Sequence, residues 1–76
     1  MQDLTNLFKL TFAHTILDTG DVPKYLIHLD LLYRLIRQED NKFIYKSERK
    51  ETEFFVYFSK TMLNKLIRIR NKLLKG

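Results

Sequence analysis

The stretch DVPKYLIHLDLLYRLIRQ, Asp21 to Gln38, is the one on which the fold turns. It opens as a helix should, with Asp21 placed to accept the unpaired N–H groups of a first turn. Pro23 stands in that turn, where its missing N–H costs nothing. Val22, Tyr25, Leu26, Leu29, Leu32, Tyr33 and Ile36 then recur at helical spacing, within about 120° of arc at 100° per residue. Ile27, Leu31 and Leu35 form a second apolar stripe on nearly the opposite side. Lys24, His28, Asp30, Arg34 and Arg37 fill the strips between them. The spacing predicts a helix over 22–38 that is apolar on two sides. Two other short segments cannot cover both, so the pattern points to a homodimer, with Ile27, Leu31 and Leu35 as the oligomer or partner interface.

Outward from this stretch, residues 3–18 predict a first helix. Leu4, Leu7, Phe8, Phe12, Ile16 and Leu17 follow at spacings of three and four, Asp3 can cap the start, and Gly20 can end it. Residues 59–75 predict a basic amphipathic helix, with Met62, Leu63, Leu66, Ile67, Ile69, Leu73 and Leu74 making its apolar side. Residues 39–58 carry two readings. Lys42–Lys46 and Thr52–Phe58 are β-favouring in composition, which suits a hairpin. Phe55, Phe58, Met62, Leu66, Ile69 and Leu73 also keep one helical phase, and no glycine or proline occurs between Pro23 and Gly76 to make a turn. The helical reading follows from phase and punctuation. The expected fold is one mainly α, three-helix domain over residues 1–76, with a possible β-hairpin at 42–58; the alternative is α+β.

Composition narrows function by exclusion. The chain has 76 residues and no cysteine, so disulfides, thiolate metal sites and nucleophilic thiols are ruled out. At 45% hydrophobic and 30% charged residues it can build a core. No run is long and apolar enough for an integral membrane span. The start, Met1-Gln2-Asp3, lacks the basic region of a secretory signal, so a cytoplasmic, intracellular and soluble protein is expected. His14 and Asp18 are four residues apart, but two histidines and scattered acids give no ligand set, so neither a metal nor a cofactor is expected. There is no glycine-rich phosphate loop and no serine–histidine–acid pattern, and the chain reads as not an enzyme.

Charge carries the positive signal. Residues 1–53 hold eight Lys/Arg and nine Asp/Glu, whereas residues 54–76 hold six Lys/Arg and no acid, so the whole net charge of +5 comes from the C-terminal segment. Lys65, Arg68, Lys72 and Lys75 recur at spacings of three and four along one helix face, covering about 15 Å at 1.5 Å per residue. Such a face can follow a phosphate backbone and displace its counterions. The expectation is a basic regulatory or accessory protein that contacts nucleic acid through Lys65, Arg68, Lys72 and Lys75, helped by Lys60 and Arg70. The alternative is a non-enzymatic interaction module, an adaptor or small inhibitor, docking on an acidic protein. The six aromatics from Phe43 to Phe58 could stack on bases, but large rings in so small a chain are expected to build the core.

Overall fold

The computed structural model describes residues 1–75 and is α+β. The elements run β1 (Gln2–Asp3), α1 (Thr5–Thr19), β2 (Tyr25–His28), β3 (Leu31–Glu39), β4 (Lys42–Ser47), β5 (Glu53–Tyr57) and α2 (Lys60–Leu74). The five strands form one mixed sheet in the order β1-β5-β4-β3-β2, in which only β1 and β5 run parallel. This overturns the mainly α, three-helix expectation. Helices lie at the two ends of the chain, but 22–38 is a β-hairpin and 39–58 supplies two further strands.

The physical reason lies in the turns. The β2–β3 connection is two residues long, and both take positive φ, Leu29 at 50° and Asp30 at 65°. This is the type I′ signature, whose twist matches that of the flanking strands. The β3–β4 connection, Asp40–Asn41, places Asp40 at φ 54°. Glycine is the usual donor of such angles; here Leu29, Asp30 and Asp40 supply them, so the chain turns without the expected punctuation. A left-handed leucine costs roughly 1–2 kcal/mol, and Leu29 is 81% exposed, so its side chain offers little packing in return. Replacing Leu29-Asp30 by Asn-Gly should therefore raise stability by about 1 kcal/mol or more, or roughly 4–8 °C per kcal/mol in a domain of this size. Thermal unfolding followed by circular dichroism measures it, and an unchanged or lower midpoint contradicts the turn assignment.

Each face of this hairpin draws residues from both apolar sides of the supposed helix. Leu26 pairs with Tyr33 and Ile27 with Leu32, so Leu26, Leu31, Tyr33 and Leu35 point to one face, and Tyr25, Ile27, Leu32 and Arg34 to the other. The inner face is continued across β4 and β5 by Phe43, Tyr45, Phe54 and Val56, all buried.

Helix α1 lies on that inner face through Leu4, Phe8, Phe12 and Ile16, one residue per turn. Phe12 stacks on Phe58 at 5.3 Å and also meets Phe43 and Tyr45; Phe8 stacks on Phe54 at 5.6 Å. The start of α1 is tied down by Asp3, which precedes the capping residue Leu4 and accepts the Thr5 N–H at 2.9 Å. Hydrogen bonds from the Thr5 hydroxyl and amide hold the Asp3 carboxyl below its ordinary pKa. Gly20, at φ 83°, closes α1 in the left-handed conformation. Tyr45 is buried, which pushes its phenol pKa up, and its hydroxyl donates to the Pro23 carbonyl, pinning the chain just before β2.

The opposite sheet face carries no helix. It is closed at one point: Arg37 on β3 reaches Glu53 on β5 at 3.2 Å, a bond that must pass over the intervening β4. Ile44 on β4, the cross-strand neighbour of Arg37 and Phe55, is consequently shut from solvent on an otherwise open face. Among the described residues no helix is long and apolar enough to cross a membrane.

Candidate nucleic-acid interface

Helix α2 begins at Ser59, whose hydroxyl accepts the Met62 N–H at 3.2 Å. The cap is a serine because the preceding strand leaves the first-turn N–H groups without main-chain partners. Leu66 is buried in the shared core, with Met62 and Leu63 packed against it. This fixes the rotation of the helix and so decides which cations face outward.

At 100° per residue, Lys65, Arg68, Lys72 and Lys75 fall within about 80° of arc, centred opposite Leu66. All four are exposed, as is Lys60 at the first turn. Asn64 and Asn71 lie beside them and are also exposed. Arg70 falls on the other side, with the apolar residues, and is only half-exposed. Its Nε lies 2.9 Å from where a Cβ on Gly20 would sit, so its guanidinium covers the C-terminus of α1. There a cation meets the negative end of the helix dipole. Five of the six basic residues read from the sequence thus share the outward surface of α2, and Arg70 turns inward to α1.

Of the remaining cations, three on the sheet have partners, whereas Lys9, Lys24, Arg34, Arg49 and Lys50 lie within 4.0 Å of no carboxylate among the described residues. On the open sheet face, Arg37 is held by Glu39 at 2.8 Å and by Glu53. Lys46 pairs with Glu51 at 3.4 Å, and the Lys42 ammonium lies 4.8 Å from the centre of the Phe55 ring. Among the described residues, no cation of α2 lies within 4.0 Å of a carboxylate. The charge excess visible in the sequence is therefore also an excess of uncompensated charge on one surface.

The three residues read as an oligomer stripe do not stay together. Ile27 is on the open face of the sheet, 69% exposed, whereas Leu31 and Leu35 pack against the core on the inner face. The aromatic segment divides in the same way. Phe43, Tyr45, Phe54 and Phe58 are core residues; Phe55 is half-buried and Tyr57 exposed on the open face. His28 sits among the rings of Phe8, Tyr33 and Phe54, while His14 is exposed on α1. Among the described residues no three His, Asp or Glu come together as a metal site. Sequence reading missed the role of Arg70; its only signal was a helical angle that places it between Leu63 and Leu66.

Comparison of the chain with protein-family models, with curated proteins and with solved structures finds no match.

Proposed function

We propose that this protein is a non-enzymatic nucleic-acid-binding accessory protein. In this reading Lys65, Arg68, Lys72 and Lys75 lie along the phosphate backbone and Lys60 adds a contact at the first turn. The observation that carries it is that four cations share the outward face of α2 with no carboxylate within reach among the described residues, whereas three of the four cations on the strands, Arg37, Lys42 and Lys46 but not Arg34, have partners. Cations without acidic neighbours keep their full attraction for a polyanion, and regular spacing matches repeated charge better than a single anion. Thr61 within the row and Asn64 and Asn71 beside it are the polar side chains placed for contacts to base edges, so recognition is mainly of backbone rather than of sequence.

The test is a fluorescence-polarisation titration against generic duplex DNA, single-stranded DNA and RNA at several salt concentrations. Five phosphate contacts on duplex DNA give a slope of log K against log salt near −4.5, about a 500-fold loss between 50 and 200 mM salt. No binding to any of the three at low salt overturns the proposal.

A second reading has its own observation. Leu73 and Leu74 near the end of α2 are mostly exposed on the apolar side of the helix, away from the basic row. An amphipathic end of this kind suits a groove on an acidic protein partner. That reading predicts affinity that depends on Leu73 and Leu74 as strongly as on the cations.

A further inference from the structure

The sheet has two edges, and they are not alike. The β1 edge is two residues long and carries Asp3. The β2 edge, Tyr25-Leu26-Ile27-His28, contains no Lys, Arg, Asp, Glu or Pro, and its pairing with β3 runs without a bulge. Charges, prolines and bulges are the usual devices that keep an edge from pairing with another chain. None of them interrupts β2.

The main-chain pattern says which groups are unpaired. Leu35 N–H donates to the Lys24 carbonyl at 2.9 Å, so Lys24 and Leu35 are a hydrogen-bonded pair. Antiparallel alternation makes Leu26–Tyr33 and His28–Leu31 bonded pairs as well. Tyr25 and Ile27 therefore turn their N–H and C=O groups away from β3, to the outer edge. Their side chains, 55% and 69% exposed, stand on the open sheet face.

We infer that β2 pairs antiparallel with β2 of a second copy of this chain, joining two five-stranded sheets into one. Tyr25 of one protomer faces Ile27 of its partner, and the two-fold axis passes beside Leu26. The arrangement makes four main-chain hydrogen bonds and two aromatic–β-branched cross-strand pairs, a favourable combination. Charge selects the occupant and the direction. Lys24 precedes the strand and Asp30 follows it; with Tyr25 facing Ile27, Lys24 stands across from the partner's His28 and two residues along from the partner's Asp30, whereas a parallel copy sets Lys24 beside Lys24 and Asp30 beside Asp30. Helix α2 packs in the shared core with α1 through Met62, Leu63 and Leu66. A two-fold interface of this type is self-complementary, as closed dimers require.

The experiment uses the full chain without nucleic acid, so its outcome is independent of the function proposed above. Sedimentation velocity over a range of concentrations should show the mass doubling from the 9.2 kDa monomer. Amide hydrogen exchange on the same samples should show Tyr25 and Ile27 slowing as the dimer forms. Ile27→Lys, which adds a charge on the open face and breaks no bond to β3, should hold the protein at monomer mass with an unchanged circular dichroism spectrum. Tyr25→Lys should do the same if Ile27→Lys does not fold. Wild-type protein that stays monomeric at millimolar concentration overturns the inference. So does a dimer in which the Tyr25 and Ile27 amides exchange as fast as in the monomer.

Discussion

Replacing Lys65, Arg68, Lys72 and Lys75 together by glutamine should abolish binding to duplex DNA and leave the fold intact. All four side chains are exposed and, among the described residues, none is in an ion pair, so glutamine removes charge without breaking an ion pair described in the protein. Each cation removed from a phosphate should lower the salt slope by about one, so the four together leave only the contribution of Lys60. A matched variant separates local field from net charge. Replacing Lys42, Lys46, Arg49 and Lys50 by glutamine makes the same change in total charge, but on the strands and the β4–β5 loop. That variant should bind nearly as well as wild type. Equal weakening in both would mean that net charge alone governs binding and that α2 is not the site. The readout is polarisation at low salt, with circular dichroism on each variant.

The largest effect on stability should come from Phe12→Ala. Phe12 is fully shut from solvent and touches Phe43, Tyr45 and Phe58, residues of β4 and the end of β5. Truncating a buried phenylalanine costs roughly 3–5 kcal/mol, through the transfer energy forgone and the cavity left behind. Domains as a class hold about 5–15 kcal/mol in all, and one of this size sits toward the lower end. The variant should lose most of its urea resistance and show little or no cooperative unfolding. Phe55→Ala, on the half-buried open face, serves as the comparison and should cost much less. A loss below about 1 kcal/mol for Phe12→Ala would mean that α1 does not anchor on the sheet through this ring.

How much of this was legible in the residues differs by segment. The periodicity of residues 3–18 and 59–75 places α1 and α2 within a residue or two of where they lie, because Phe8, Phe12 and Ile16 recur at helical spacing in α1, though Leu7 and Leu10 are apolar outside that face, and α2 has one apolar side. The aromatic and β-branched run Phe54–Phe58 was a true strand signal; the absence of glycine and proline was the misleading one. In Asp21–Gln38 nearly every second or third residue is apolar, so the period of two and the period of 3.6 both fit. The choice between them rests on pairing with β4, 10 and 14 residues away in sequence at the Leu35–Tyr45 and Tyr33–Ser47 registers. No local pattern reports that. Nor does one report the positive φ of Leu29, since a leucine there follows from the hairpin closing around it.

The same division holds for the candidate site. By itself the sequence determined that the last 23 residues carry six cations and no acid, and that four of those cations share one helical face. Helical geometry is local, so this survives whatever the rest of the chain does. Tertiary structure decided everything that depends on neighbours: that Leu66 faces the core and the row faces outward, that Arg70 lies over Gly20, and that Arg37, Lys42 and Lys46 on the sheet have partners while Arg34 pairs with no acid among the described residues. It also converted a supposed two-sided helix into a hairpin with an open edge at Tyr25 and Ile27. Charge and periodicity are properties of the chain, whereas compensation of charge and completion of hydrogen bonds are properties of what the fold brings alongside.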